Sequence, residues 1–119
     1  MYLLFGNNRA MLLDTGSTEF AEFFPLHKTV DHLIDQWLTQ YPRQIYPLIV
    51  AHTHLHLDHI EADSQFVDRP DTEIVRLSLA ETQEFYGFTD WPNETVEFDL
   101  GGRTLKVLLR QYIKKPKFQ

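Results

Sequence analysis

The run Leu48-Ile49-Val50-Ala51 is continuously apolar and leads straight into His52-Thr53-His54-Leu55-His56-Leu57-Asp58-His59. A short apolar run without polar alternation is the pattern of a strand buried on both faces, as in sheets with parallel pairing. Polar, metal-competent residues directly after such a strand fall where open sheets of mixed α/β proteins put their chemistry, at the carboxyl ends of the strands. The chain is therefore expected to build a layered α/β core around residues 48–51, with its functional residues at one edge.

Four of the six histidines lie in residues 52–59, with an aspartate beside the last of them. Imidazole and carboxylate together suit zinc, iron or manganese. His54 and His56 are two apart, so in an extended segment they point the same way and can grip one ion. Asp58 and His59 are adjacent and can address a second ion if the chain turns there. Two ions roughly 3.5–4 Å apart can share and activate one water for hydrolysis. The bland alternative is a histidine-rich loop without metal. His52 lies on the strand side and reads as a packed or supporting residue rather than a ligand.

Thr53-His54-Leu55-His56-Leu57-Asp58-His59 resembles the signature of the metallo-β-lactamase-fold hydrolases. Leu12-Leu13-Asp14-Thr15-Gly16 resembles that family's earlier strand-and-turn motif, and Leu100-Gly101-Gly102-Arg103-Thr104-Leu105-Lys106-Val107 its later hairpin. The three landmarks occur in the family's order across residues 2–108. The resemblance implies half of an αββα sandwich in ββαβαββ order, within an α/β (or α+β) class. It implies one or two zinc ions, with iron or manganese as substitutes, held by His54, His56, Asp58 and His59. Asp58 would also be catalytic, orienting the water that attacks an ester, lactone, thioester or amide of a small-molecule substrate. The Asp14-Thr15-Gly16 turn would support the metal loop; equally, it can be an ordinary turn with Gly16 at positive φ.

The resemblance stops short of the whole family domain. Family members carry a third histidine for the first ion after the strand matching 103–109, then a bridging aspartate and a final histidine. Here no histidine follows His59. Each ion then has two protein ligands where catalytic zinc has three. The domain reads as truncated, with residues 1–109 a partial metallo-β-lactamase-like domain and 110–119 a basic tail. One sheet face would lack its partner, and a homodimer could cover it and lend ligands. The alternative function is a non-catalytic remnant that binds metal weakly or serves as an association surface.

Composition narrows the partners. All 17 acidic residues precede residue 100, and six Lys or Arg occur from Arg103 onward, so the first 102 residues carry −12 and the remainder +6. The overall charge of −6 argues against nucleic acid as the main partner. The basic tail could contact an acidic partner, although a solvated tail reads the same way. There is no cysteine, hence no disulfide or thiolate ligand. No signal peptide or membrane-length apolar run is present, which gives an expectation of a cytoplasmic protein with no membrane partner. No Gly-rich phosphate loop or Gly-x-Ser-x-Gly elbow occurs.

Local patterns fill in the rest. Residues 1–5 and 10–14 read as a hairpin about Gly6-Asn7-Asn8-Arg9. Val30, Leu33, Ile34, Trp37, Leu38 and Tyr41 mark one face of a helix, with Thr29 as N-cap and Pro42 beyond its end. His27 and His32 read as surface or packing residues. Residues 44–51 and 72–77 read as strands, and 58–62 as a short helical turn, with Glu61 solvated. Residues 78–86 read as a helix with Ser78 and Glu81 in a capping box and Gly87 at C′. Residues 95–100 and 103–109 form a second hairpin about Gly101-Gly102. The aromatic groups Phe20, Phe23, Phe24 and Phe85, Tyr86, Phe88, Trp91 read as packing surface, with a pocket wall as the alternative.

Overall fold

A computed structural model describes residues 2–15, 25–52, 61–75, 79–90 and 94–108, without the side chains of Glu61, Ala62 and Leu79. Among these residues the chain is mixed α and β, with two α-helices and two sheets. β1 (Tyr2–Phe5) and β2 (Ala10–Leu13) form an antiparallel hairpin, α1 (Leu26–Gln40) crosses over, and β3 (Leu48–Ala51) follows. A 3-10 helix (Glu61–Phe66) leads to β4 (Thr72–Ile74), then come α2 (Leu79–Tyr86) and the antiparallel hairpin of β5 (Val96–Asp99) and β6 (Thr104–Val107). The described order is thus ββαββαββ, which includes a strand at 72–74 that the ββαβαββ order leaves out.

The first sheet has the order β1-β2-β3-β4, with β2, β3 and β4 parallel. In register, Ala10 faces Leu48 and Leu13 faces Ala51. β3 begins later than the expected residue 44 because Pro47 has no N–H to donate to a ladder. Its carbonyl still accepts from the Ala10 N–H (2.9 Å).

Successive residues of a strand point to opposite faces, and both faces of the central pair are buried. Ala10, Leu12, Leu48 and Val50 share one cluster with Leu26, Val30 and Ile34 of α1, closed by Tyr46 and Phe66. Met11, Ile49, Ala51 and Val75 share the other with Phe98 and Leu100, and Phe85, Tyr86, Leu105 and Val107 pack against it. The apolar face expected to lie bare is therefore covered in its centre. The cover is the hairpin β5–β6, whose Val96, Phe98, Leu105 and Val107 are sheltered while Glu97, Asp99, Thr104 and Lys106 face water. Each fully buried Leu, Met or Phe contributes about 1.5–3 kcal/mol relative to exposure, so a face built from Met11, Ile49 and Phe98 is a substantial part of the stability.

α1 differs from its sequence pattern at both ends. It starts at Leu26 after Pro25 and has no side-chain N-cap. The Thr29 hydroxyl instead donates back to the Pro25 carbonyl (2.9 Å), a bond to the preceding turn that competes with capping. Leu33 and Tyr41, expected on the inner face, are 41% and 46% exposed. α2 ends as expected. Gly87 has φ +78, its N–H reaches the Glu84 carbonyl (3.2 Å), and the Phe88 N–H reaches that of Gln83 (2.9 Å), the paired closure of a Schellman motif. Ser78 lies outside the described residues.

The two hairpin turns dock on each other at the amino edge of the parallel strands. The Asn7 N–H donates to the Gly101 carbonyl (2.7 Å) and the Asn8 N–H to that of Leu100 (2.9 Å). The Arg9 guanidinium donates twice to the Asp99 carbonyl (3.0 and 2.7 Å) and lies 4.1 Å over the Phe98 ring. A Cβ on Gly6 would collide with the Leu100 carbonyl.

Candidate metal centre

At the opposite edge, β2 and β3 end side by side. The Asp14 N–H donates to the Ala51 carbonyl (2.8 Å), which carries the ladder one residue beyond the strands and sets Asp14 beside His52. Asp14 has φ +65. Aspartate tolerates this left-handed conformation better than most residues, and it ends the strand sharply with the carboxylate kept in the interior. Gly16, where positive φ was expected, lies outside the described residues.

The 3-10 helix returns a third side chain to the same place. Asp63 Oδ2 is 2.7 Å from His52 Nε2, and its Oδ1 accepts from the Thr15 hydroxyl, also at 2.7 Å. Thr15 is fully buried, Asp14 is 5% exposed, and the His52 side chain is 3% exposed. Ionised, a carboxylate only accepts hydrogen bonds, so the Asp63 contact assigns the imidazole proton to Nε2. His52 Nδ1 is then a bare lone pair. It is buried and has no hydrogen-bond partner. Its near neighbour is Asp14 Oδ1 at 3.9 Å, beyond hydrogen-bond range.

This cluster brackets the histidine motif. His52 precedes the motif and Asp63 follows it, and the two side chains are bonded to one another. His54, His56, Asp58 and His59, the four expected metal residues, lie outside the described residues. Among the described residues there is no group of three or more His, Asp or Glu side chains able to hold a metal ion. The donors at hand nevertheless suit one: imidazole nitrogen and carboxylate oxygen are zinc ligands, and a buried imidazole nitrogen without a partner is the atom such an ion would satisfy.

Sequence reasoning did not find Asp63 or the Thr15 hydroxyl. Thr15 and Asp63 are 48 residues apart, and nothing local marks them as partners. The remaining expectations divide simply. His27 pairs with Asp31 (3.0 Å) and leans on Phe66 (5.4 Å between ring centroids), and Asp31 also accepts from Arg69 (2.7 Å), a surface packing role. Phe85 and Tyr86 pack on Phe98, each at 5.5 Å; this burial pushes the Tyr86 phenol above its ordinary pKa. Phe20, Phe23, Phe24 and Trp91 lie outside the described residues. A cavity of about 340 Å³ at the amino edge is bounded by Asn7, Trp37, Tyr41 and Arg103 and brings together no acid–base pair. No helix among the described residues is long and apolar enough to cross a membrane. Comparison with family models, with curated proteins and with solved structures finds no match to this chain.

Proposed function

We propose that the chain is a zinc-dependent hydrolase of the metallo-β-lactamase type, acting on an ester, lactone, thioester or amide, with its layered core as half of that αββα sandwich. His54, His56, Asp58 and His59 would hold one or two zinc ions. Bound zinc supplies Lewis acidity and makes water a better nucleophile near neutral pH. Asp58 would also orient the attacking water. His52, Asp14, Thr15 and Asp63 fix the two ends of the motif to the sheet edge. The observation that carries the reading is this buried polar cluster at the carboxyl ends of parallel strands, on both sides of the motif.

The test is the zinc content of chain purified without chelator, compared with a His54→Ala/His56→Ala variant, together with hydrolysis of lactone, thioester and β-lactam substrates. Zinc and hydrolysis in the parent, both lost in the variant, support the enzyme. Zinc lost by the variant with no hydrolysis in either chain supports the second reading, a non-catalytic metal-binding or association module. A second copy of the chain supplying ligands would appear as zinc-dependent dimerisation in sedimentation. A parent chain with neither zinc nor activity, even after zinc is added, overturns the proposal.

A further inference from the structure

We infer that His52, through Nδ1, and Asp14, through its carboxylate, form a binding site for a divalent cation of the zinc class, with Asp63 and Thr15 as positioning residues. The inference goes beyond the reading above and stands on the described residues alone, whether or not the motif holds metal.

Three observations carry it. The first is the orphaned nitrogen. His52 Nδ1 is buried and has no hydrogen-bond partner, and its side chain is 3% exposed. A buried acceptor left unsatisfied is costly, and folds keep few such atoms without a use for them.

The second is the arrangement behind it. Metal-binding imidazoles commonly donate their other ring N–H to a carboxylate, which fixes the tautomer and raises the basicity of the ligating nitrogen. Here Nε2 donates to Asp63 Oδ2 at 2.7 Å, and Asp63 Oδ1 is held in turn by the Thr15 hydroxyl at 2.7 Å. The tautomer so fixed is the one that aims the Nδ1 lone pair into the interior.

The third is the gap on the Nδ1 side. Asp14 Oδ1 is 3.9 Å away. A doubly protonated imidazole between two carboxylates would close this gap to roughly 2.8 Å, the length of a charge-assisted hydrogen bond. An ion bonded to both atoms at about 2.0–2.1 Å with tetrahedral angles would set them roughly 3.4 Å apart, a shift of about half an ångström. The gap is too wide for the proton and close to right for the ion. Two protein ligands leave the other coordination positions to water.

The experiment uses the full chain stripped of metal and titrated with zinc(II), and with cobalt(II) for its ligand-field spectrum. In the parent chain, nitrogen-detected NMR should show the His52 Nδ1 resonance shift on zinc addition while Nε2 stays protonated. This readout needs no variant to fold. His52→Ala and Asp14→Asn should each weaken binding at least 100-fold. Asp63→Asn should weaken it about 10-fold, the usual scale for a group behind a ligand, and alter the cobalt spectrum. A His54→Ala/His56→Ala chain should still bind one ion that depends on His52.

An unmoved Nδ1 resonance in a zinc-loaded parent, or unchanged affinity in a folded His52→Ala chain, overturns this inference. Loss of all metal from the His54→Ala/His56→Ala chain also overturns it, yet sustains the motif as the zinc site. Metal kept by that chain and lost by His52→Ala sustains the inference and removes the motif. No binding of either ion by the parent overturns both.

Discussion

The two edges of the four-stranded sheet are closed by different chemistry. At the amino edge, where Ala10 and Leu48 begin, the turn 6–9 and the turn 99–103 are joined mainly through main-chain groups, with Arg9 and Tyr46 donating to carbonyls. At the carboxyl edge, two acids, an imidazole and a hydroxyl converge with little exposure, and one nitrogen is left over. Among the described residues the first edge leaves no buried side-chain polar atom without a partner, and its one side chain at positive φ, Asp71 (φ +51), is exposed to water. The second buries ionisable side chains and bends Asp14 into a left-handed conformation. Folds that depart from local rules usually do so at functional sites, and the buried ionisable cluster is the reason the proposed site is put at the second edge.

The largest expected effect breaks the amino edge. Gly6→Ala would drive a methyl group into the Leu100 backbone, which cannot turn aside as a side chain could. We expect a loss of about 3 kcal/mol or more, since overpacking and backbone displacement add. The urea midpoint measures it. A loss under about 1 kcal/mol would show that the hairpins do not depend on their docking.

Next comes the carboxyl edge in metal-free protein. Asp63→Ala leaves His52 with neither ring nitrogen bonded and removes the acceptor of the Thr15 hydroxyl. Hydrogen bonds involving a charged group are worth about 1.5–3 kcal/mol, and Asp63 is partly open to water, so we expect about 2 kcal/mol. A neutral result in urea unfolding would mean that the cluster relaxes freely, contrary to a held imidazole. Arg9→Met ranks third. It removes two bonds to the Asp99 carbonyl and the contact over Phe98 while keeping much of the side-chain bulk. The site is partly exposed, so about 1 kcal/mol is expected. Arg9→Lys should recover less than half of it, because lysine lacks the planar fork.

What the sequence made legible follows the range of the interaction. The apolar run 48–51, the period of α1 and the Gly87 closure are local signals, and each appears as an element. The misplaced details were local competitions that a pattern does not resolve: Thr29 bonding backward to Pro25, Pro47 delaying β3, Leu33 turned outward. The hairpin that covers the second sheet face carried its own signal in the alternation of Val96, Phe98, Leu105 and Val107. Resemblance to a larger sandwich led instead to the expectation of a bare face. The Asp14, Thr15, His52 and Asp63 cluster was half legible. Its strand ends were predicted, but Asp63 arrives from a polar 3-10 helix with no periodicity to announce where it points.

The smallest prediction sharpens the comparison by pH. The Tyr46 hydroxyl donates to the Gly6 carbonyl (2.7 Å), and its ring stacks on Trp37 at 4.7 Å between centroids. Burial pushes its pKa above the ordinary tyrosine value, and the guanidinium groups of Arg43 and Arg103 offset only part of that. Ionised, the oxygen has no proton to give to Gly6. The folded state thus holds this proton more tightly than the unfolded chain. The stabilisation is whole below about pH 10, where free tyrosine ionises, and is lost as pH rises through the folded value. Tyr46→Phe should cost about 1 kcal/mol at neutral pH for the lost hydrogen bond. The variant should also lose less stability than the parent between about pH 8 and pH 11. Tyr86, raised by burial as well, keeps part of the alkaline decline in both chains, as do the lysines, so the difference between the two urea series isolates Tyr46. Parallel declines would show that the phenol is not held at the amino edge, and the docking of the two hairpins would then rest on Arg9 and the main chain alone.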